Sequence, residues 1–368
     1  MDRTLHETLT DNQIYLGFSR SELQALEPYR DPTARPTVGF YTDFSGVKTR
    51  LSYFPPIPGL HDQLVGDLPF PDDGIHAEAV EYLAAIKSVN AADDSFTAVE
   101  LGAGYGPWLA FTAKAAQRKG ISQIKLVAVE ADPDRRALMQ THFSDNDLPS
   151  IDPQSTFSSA ESDSVSVESY LGAVGEKNGK LTFASAGILD WGGSVFAGCN
   201  DGGIDNRGEK VQTYEVDCYT IEHVIRDLPI VDYLHIDIQG YEYLSITASL
   251  ATLRAKVRFM LVETHSRIIE GQLLELLHGK GWRLINEKPC KFRHDAPLPL
   301  DALVQLDGSQ LWVNLALVDS TRFDIYTEDY RLRTAEYRAE QLDKVVRAKD
   351  EVIWALEAEL ERFRKQSS

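Results

Sequence analysis

The stretch Val99-Glu100-Leu101-Gly102-Ala103-Gly104-Tyr105-Gly106-Pro107-Trp108 decides the fold of this chain. The apolar run at residues 96–101 predicts a buried strand, and the apolar residues at 108–117 recur at helical spacing. Pro107 suits the first turn of a helix, because the N–H that proline lacks would have no partner there. Gly102 and Gly104 let the backbone approach a ligand with no Cβ in the way. The stretch therefore predicts a strand, a glycine turn and a helix that cradle a nucleotide-type ligand.

Two acidic residues distinguish this turn from a dinucleotide-binding one. The dinucleotide pattern needs G-x-G-x-x-G and an acid about 20 residues later, whereas here the third glycine comes one residue early and the acid, Glu130, comes later. Glu100 would repel a pyrophosphate and attract a sulfonium or ammonium group. Glu130 ends a second apolar strand, residues 125–130, where a carboxylate can accept both hydroxyls of a ribose. The pair predicts S-adenosylmethionine as the cofactor; the alternative is an ordinary β–α turn with solvated acids.

The composition excludes several classes of protein. The chain has 368 residues, 43% of them apolar, which is enough for one large globular domain or two small ones. Its net charge of −19 argues against nucleic acid or an anionic membrane as the main partner. Cys199, Cys218 and Cys290 are far apart and odd in number, which favours a reducing compartment. Because no secretory or membrane-spanning apolar run is present, we expect a soluble, cytoplasmic protein with no membrane span.

The order of the predicted elements indicates an α/β fold. Strands and helices alternate from residue 96 onward, which is typical of a parallel sheet covered on both faces. We predict strands at 96–101, 125–130, within 165–174, 211–216, 231–238 and 257–263, helices at 76–86, 108–117, 134–142, 220–225 and 268–278, and an antiparallel closing pair at 282–285 and 311–318. A long glycine-rich loop at 187–208, which contains Trp191, is expected to be functional or disordered.

Three regions are expected along the chain. Residues 1–75 are proline-rich and predict an N-terminal wrap or a lid, and residues 76–320 predict the α/β domain. Residues 330–366 predict a coiled-coil tail, because the positions Leu332, Ala335, Ala339, Leu342, Val346, Lys349, Ile353, Leu356, Leu360 and Phe363 alternate in spacings of three and four. This seam predicts a homo-oligomer, a dimer slightly more than a trimer; the alternative is one amphipathic helix packed on its own domain.

Polar residues at the predicted strand ends are the candidates for chemistry, because ligands bind beyond the carboxyl ends of strands in open α/β sheets. Asp237 is expected to face a cofactor or substrate, with a helix N-cap as the alternative. His265 titrates near neutral pH and is a sensible base for removing a hydroxyl proton, with a structural role as the alternative. His235 alternates into the sheet and is interpreted as mainly structural.

Four motifs together carry a resemblance to a known family: Glu100–Gly106, Val129–Pro133, Gly172–Gly175 and Asp237–Glu242. Over roughly residues 75–290 the chain resembles the FkbM family of S-adenosylmethionine-dependent methyltransferases, which implies a Rossmann-like, doubly wound sheet and O-methylation, often of a sugar hydroxyl. Residues 40–50 and 264–270 resemble a glycan-associated branch of that family.

The resemblance also implies roles for single residues. It assigns the methionine end of the cofactor to Glu100, Gly102 and Gly104, and the ribose to Glu130. The adenine side falls to Ala173 and Val174. Ala131 and Asp237 complete the expected cofactor-binding set.

The chain departs from the family pattern in two places. The family usually has Asp-Val-Glu-Gly where this chain has Asp237-Ile238-Gln239-Gly240, and often lysine where His235 stands. Related sugar methyltransferases bind magnesium through acids at these strand ends, and Gln239 removes one such charge. We therefore expect no metal, although Asp237 and Glu263 could form a site.

The sequence as a whole predicts an S-adenosylmethionine-dependent O-methyltransferase acting on a hydroxyl of a sugar or glycan. Two alternatives stay open. One is O-methylation of a phenol or polyketide. The other is a non-catalytic coiled-coil interaction protein of glycan assembly.

Overall fold

The computed structural model describes residues 17–18, 20–54, 77–187, 191–195, 210–292 and 303–319, together with Val346 and Lys349. The chain divides into two compact units, Met1–Val318 and Asp319–Ser368. In the second unit Val346 and Lys349 are helical and exposed; the rest of the predicted coiled-coil seam lies outside the described residues. So do Cys199, residues 55–75 of the predicted wrap and most of the predicted 187–208 loop.

A large sheet organises the first unit. In the described part of the chain it has eight strands, in the order β13 (Trp282–Lys288), β16 (Gly308–Asn314), β12 (Val257–Thr264), β11 (Val231–Ile236), β3 (Ser95–Leu101), β4 (Gln123–Glu130), β6 (Val165–Leu171) and β5 (Phe157–Glu161). The five strands from β12 to β6 are parallel, β5 pairs antiparallel with β6, and β16 runs antiparallel between β12 and β13. The predicted Rossmann-like, mostly parallel sheet and its antiparallel closing pair are confirmed.

The helices of the first unit flank this sheet. They are α1 (Arg20–Leu23), α2 (Ala79–Ala91), α3 (Pro107–Lys119), α4 (Pro133–Asp145), α5 (Ile221–Ile225), α6 (Glu242–Ala248), α7 (Leu250–Lys256) and α8 (Arg267–Leu277), with 3-10 turns at Gln24–Tyr29 and Leu51–Tyr53. The sequence did not predict α6 and α7, which have seven residues each. Among the described residues, no helix combines the length and the apolar character that a membrane crossing requires.

The described residues of the first unit also form three smaller sheets. The strands β1 (Phe40–Thr42) and β2 (Lys48–Arg50) form an antiparallel hairpin, and β14 (Lys291–Phe292) pairs with β15 (Val304–Leu306). A four-stranded sheet has the order β7 (Ala173–Val174), β10 (Gln212–Tyr219), β8 (Gly179–Ser185) and β9 (Ser194–Val195). The strand β9 corrects one expectation, because it falls inside the stretch that the sequence predicted to be a loop.

The described part of the predicted wrap packs against the sheet domain. The Arg50 guanidinium pairs with the Asp145 carboxylate at the end of α4 at 2.6 Å. The Phe44 ring meets the Phe111 ring of α3 edge to face, with centroids 5.8 Å apart. Tyr53 donates its hydroxyl to the Leu138 carbonyl of α4 at 3.1 Å. These contacts hold residues 40–54 over the helices that follow β3 and β4.

The strand order reverses at β3, because the chain continues to β4 on one side and later returns to β11 on the other. Ligands of open α/β sheets bind at this switch point. Gly102 lies there with φ +75°, and a Cβ at this position would stand 1.7 Å from the Asp237 carbonyl oxygen. The Gly102 and Ala103 amides both donate to the Val129 carbonyl of β4 at 2.9 Å. Only glycine therefore fits where the turn is held between its two neighbouring strands.

Replacement of Gly102 by alanine is expected to lower the free energy of unfolding by more than about 3 kcal/mol, because Cβ would displace backbone. Gly271, an exposed glycine inside α8, is the matched control, since a Cβ added there would have no neighbouring heavy atom within 4 Å. There Gly271→Ala should raise stability by about 0.5–1 kcal/mol. Urea unfolding of both variants tests the pair. Equal stability of Gly102→Ala and wild type would contradict the close approach.

Candidate active site

One cavity at the carboxyl ends of the central strands brings together all the site residues that the sequence predicted. Its lining includes Glu100, Gly102, Gly104, Glu130, Ala131, Ala173, Val174, Asp237 and His265. The cavity lies at the switch point, between the glycine turn after β3 and the turn after β11. Its position follows from the topology, since parallel strands deliver their last residues to the same edge of the sheet.

Glu100 is a buried carboxyl group on the floor of this cavity. Its side chain is 2% exposed, and Oε2 accepts a hydrogen bond from the Leu109 amide at 3.1 Å. Burial raises the pKa of Glu100 well above its ordinary value, against the backbone amides of Leu109 and Trp108, which lower it. A carboxylate in this place gains most from a cationic ligand, because the N terminus of α3 supplies only partial positive charge.

Glu130 ties the glycine turn to the next strand. Its Oε2 accepts from the Gly104 amide and its Oε1 from the Asp132 amide, both at 2.7 Å. Burial raises the pKa of Glu130, and the Arg135 guanidinium opposes that shift. A carboxylate has about four lone-pair sites, so each oxygen keeps one for a ligand hydroxyl. The side chain that orders the turn is thus also available to a ribose.

An apolar wall closes the cavity beside Glu130. Ala131 and Ala173 pack with Phe183 and Val216 in one buried cluster that joins β4 to the four-stranded sheet. Val174 lines the same side. Such a wall suits a flat, uncharged ring. The sequence missed the contribution of Phe183, because β8 was not predicted.

Aromatic side chains form the rim. The rings of Phe54, Tyr105 and Trp191 lie with centroids 5.4–5.9 Å apart. The indole Nε1 of Trp191 donates to the Tyr53 carbonyl at 3.3 Å, and the Arg135 guanidinium lies 5.3 Å from the Trp191 ring centroid. The end of the N-terminal wrap and the glycine-rich stretch therefore meet at the cavity mouth.

Asp237 and His265 lie on the opposite wall, where His265 pairs with Asp237 and is hydrogen-bonded to the buried Glu242 behind it. His265 Nδ1 lies 2.9 Å from Glu242 Oε1, and Nε2 lies 3.3 Å from Asp237 Oδ1. Gln239 donates to the same Asp237 oxygen at 3.0 Å, and the Gly240 amide donates to Glu242 at 2.8 Å. Gln239 adopts φ +51°, an unusual conformation for a residue with a side chain. The turn after β11 thus places Asp237 at the cavity, beside His265.

The three carboxylates around His265 fix its charge. Burial alone would lower the pKa of His265, but Glu242, Asp307 and Asp237 together raise it to about 10. Asp237 itself has a raised pKa because of its burial, and His265 opposes that rise. At neutral pH His265 is therefore an imidazolium with both ring nitrogens directed at carboxylates.

His235 lies deeper than His265. It is 3% exposed, and burial lowers its pKa to about 4, so the ring is neutral at physiological pH. Its neighbours Glu81 and Glu263 also line the cavity, and the three residues offer ligand atoms for a metal ion. The sequence-based expectation of no metal is not tested by the geometry.

Sequence reasoning missed several residues of the site. Glu242 stood in a motif but had no assigned role, and Asp307 lies far along the chain from the central strands. Glu81 and Arg135 belong to helices whose sequences carry no ligand-binding pattern. Of these residues, only Glu242 could have been found from the sequence, because it lies five residues after Asp237 in the same motif.

Comparisons with known proteins point in one direction. Residues 100–286 match the family model of the methyltransferase FkbM domain. A protein of Jannaschia sp. (strain CCS1), described as a candidate methyltransferase, is 30% identical over 264 residues, which cover 70% of this chain and 86% of that protein.

Solved structures give weaker likenesses. The methyltransferase FkbM from Methylobacillus flagellatus KT has a TM-score of 0.31 and 14% identity, over 60% of this chain and 44% of that one. The precorrin-6Y C5,15-methyltransferase from Geobacter metallireducens GS-15 has a TM-score of 0.34 and 10% identity, over 66% and 90% of the two chains.

Replacement of Glu242 by glutamine should lower the pKa of His265 from about 10, because it removes the carboxylate nearest Nδ1 while burial still disfavours the charge. NMR titration of the His265 ring in EDTA-containing buffer measures this. In wild type, the raised pKa of His265 stabilises the fold. This contribution is complete below pH 6.5 and is lost as the pH rises through about 10. The stability of the variant should change less over the same pH range.

Asp307→Asn is the control, since its half-exposed carboxylate lies 3.8 Å from Nε2 and should shift the pKa less. If Glu242→Gln leaves the pKa of His265 unchanged, the assigned cause of the shift is wrong.

Proposed function

Because the chain belongs to the FkbM methyltransferase family, we propose that it transfers a methyl group from S-adenosylmethionine to a hydroxyl of a sugar or glycan. The observation that carries the proposal is one cavity lined by Glu100 and Glu130 beside the glycine turn, and by Asp237 and His265 at the ends of β11 and β12. One wall suits a cationic nucleoside and the other suits a hydroxyl-bearing acceptor.

The residues present fit this cofactor. Glu100 is a buried carboxylate that a sulfonium or amino group would neutralise, and Glu130 keeps acceptor sites for ribose hydroxyls. Ala173 and Val174 lie where an adenine would pack on an apolar wall. Gly102 and Gly104 leave backbone exposed toward the methionine end. When bound, the cofactor supplies an electrophilic methyl group next to a positively charged sulfur.

Asp237 is the residue to which we assign the proton of the acceptor hydroxyl. As the hydroxyl oxygen bonds to the methyl carbon and the carbon–sulfur bond breaks, the oxygen becomes strongly acidic, so a carboxylate suffices as the base. His265 is already protonated at neutral pH and cannot take that proton. This assignment departs from the expectation that His265 is the base, and makes His265 a positioning residue that holds Asp237 at 3.3 Å.

The acceptor class follows from the polar lining beside Asp237. Gln305, Asp307, Asp237 and His265 line the cavity and offer amide, carboxylate and imidazolium groups to ring hydroxyls. The aromatic rim at Phe54, Tyr105 and Trp191 can pack on a sugar face. That same rim favours the second candidate, a phenol or polyketide hydroxyl, so the two acceptor classes must be compared directly.

Loss of the Glu130 charge should weaken cofactor binding. In Glu130→Gln the ribose loses a charged acceptor worth on the order of 1.5–3 kcal/mol, which is roughly a tenfold to hundredfold loss of affinity. Calorimetry with S-adenosylhomocysteine measures the affinity. The control is Asp134→Asn, at an exposed acid in the first turn of the helix that follows Glu130. Unchanged affinity in a folded Glu130→Gln would remove the ribose assignment, and tight binding of NAD would overturn the cofactor proposal.

Loss of the Asp237 carboxylate should slow the chemical step by about 10² to 10⁴, because the hydroxyl proton then lacks an acceptor. Single-turnover methylation at saturating cofactor tests this with a panel of monosaccharides and glycosides, and with catechol as the phenol probe. Asp227→Asn, at an exposed acid before β11 that is not part of the cavity lining, is the control. Product mass identifies the methylated acceptor.

Methylation of catechol alone would favour the second candidate. Failure of wild type to methylate any probe while it binds cofactor would favour a non-catalytic role. An Asp237→Asn rate equal to wild type would return the base to His265.

A further inference from the structure

A second group of potential ligands lies beneath the proposed methyl-transfer site. Glu81 comes from the first turn of α2, His235 from β11 and Glu263 from β12. One ligand atom of each lies within 4.8 Å of the others. All three side chains are at least nine-tenths buried, and all three line the cavity.

The sheet register explains why these side chains converge. His235 pairs with Leu261 across the parallel strands, so Glu263 lies two residues further on the same face. The first turn of α2 covers that face and brings Glu81, whose Oε1 lies 3.3 Å from His235 Nε2. The cluster is thus assembled by rigid elements and not by loops.

Each carboxylate of the cluster has one oxygen held by a group outside the cluster. Glu81 Oε2 accepts from the Glu78 amide at 2.7 Å, and Glu263 Oε2 accepts from the Ser309 hydroxyl at 3.0 Å. Among the described residues, Glu263 Oε1 and His235 Nδ1 are buried without a hydrogen-bond partner. Outer hydrogen bonds that fix a carboxylate while leaving its second oxygen free are typical of metal ligands. A buried, unsatisfied oxygen otherwise costs free energy.

The charges around the cluster also call for a cation. The Lys288 ammonium group pairs directly with Glu78 and also lies near Glu81 and Glu263, so three carboxylates surround this cation.

We propose that Glu81, His235 and Glu263 bind one divalent first-row transition metal ion. One imidazole nitrogen and two carboxylate oxygens suit Zn²⁺, Fe²⁺ or Mn²⁺ better than Mg²⁺, which prefers oxygen ligands and water. Three protein ligands leave coordination positions open toward the cavity, through which the ion can enter. The proposal replaces the sequence-based expectation of no metal, and it differs from the Asp237–Glu263 alternative.

The proposal does not depend on the methyl-transfer reaction, so it is tested without cofactor or acceptor. Full-length protein is treated with EDTA, dialysed and titrated with Zn²⁺ by calorimetry, and Co²⁺ is added in parallel to record visible absorption. We expect one equivalent of tightly bound Zn²⁺, a Co²⁺ spectrum with nitrogen and oxygen ligation, and a higher Tm with metal. Mg²⁺ at the same concentration should compete poorly.

Matched variants locate the site. His235→Gln should weaken Zn²⁺ binding on the order of a hundredfold or more, since even outer-sphere partners contribute tenfold to a hundredfold. His223→Gln, which changes a histidine stacked on Tyr219, should bind as wild type does. Glu263→Gln should also lose binding, yet its metal-free Tm should equal or exceed that of wild type because a like charge is removed; Glu161→Gln is its control.

Three results would overturn the proposal. They are wild type that takes up no stoichiometric Zn²⁺, His235→Gln that binds Zn²⁺ with wild-type affinity, and Mg²⁺ that displaces Zn²⁺ at equal concentration. Retained cofactor binding together with any of these would leave the methyl-transfer proposal standing while removing the metal site.

Discussion

The contact on which the structure depends is the close approach of the turn after β3 to the carbonyl of Asp237. A Cβ at Gly102 would stand 1.7 Å from that oxygen. On its other side the turn is held by two amide hydrogen bonds to Val129. These contacts place the end of β11 beside the glycine turn, so Asp237 lies between that turn and the cavity wall that carries His265. The fold and the site therefore depend on the same contact, because the turn after β3 cannot be repacked without moving Asp237.

A surplus of buried negative charge is the second consequence of this arrangement. The strands β3, β4, β11 and β12 each deliver a carboxylate to the cavity, and α2 adds Glu81. Burying several like charges is unfavourable unless cations or protons offset them. Inside the first unit, the positive charge of His265 offsets the charges of Asp237 and Glu242. The ammonium group of Lys288 offsets the charge of Glu78. A positively charged ligand would offset the buried charge of Glu100 or of the Glu81–Glu263 pair. The same buried negative charge would therefore favour a cationic cofactor and a metal ion.

The sequence predicted what local patterns encode. Apolar runs ended by Glu100, Glu130 and Glu263 gave the central strands, and the glycine turn gave the ligand side of the sheet. Residues brought in by long-range packing could not be predicted, because nothing near Glu81 or Asp307 in the chain reveals that they reach the strand ends. The charge of His265 was also beyond the sequence. The ordinary pKa of histidine suggested that His265 is a base. Only its contacts with the three surrounding carboxylates, which raise its pKa to about 10, indicate an imidazolium.

The two histidines of the cavity show how position decides chemistry. His235 lies within β11 and His265 just beyond β12, yet burial makes the first neutral, and three carboxylates keep the second charged. A neutral imidazole can give a lone pair to a metal, whereas an imidazolium can only donate hydrogen bonds. Asp237 lies two residues after His235 and within 3.3 Å of His265. Its carboxylate therefore lies between the neutral His235 and the charged His265, and it lines the cavity as a hydrogen-bond acceptor.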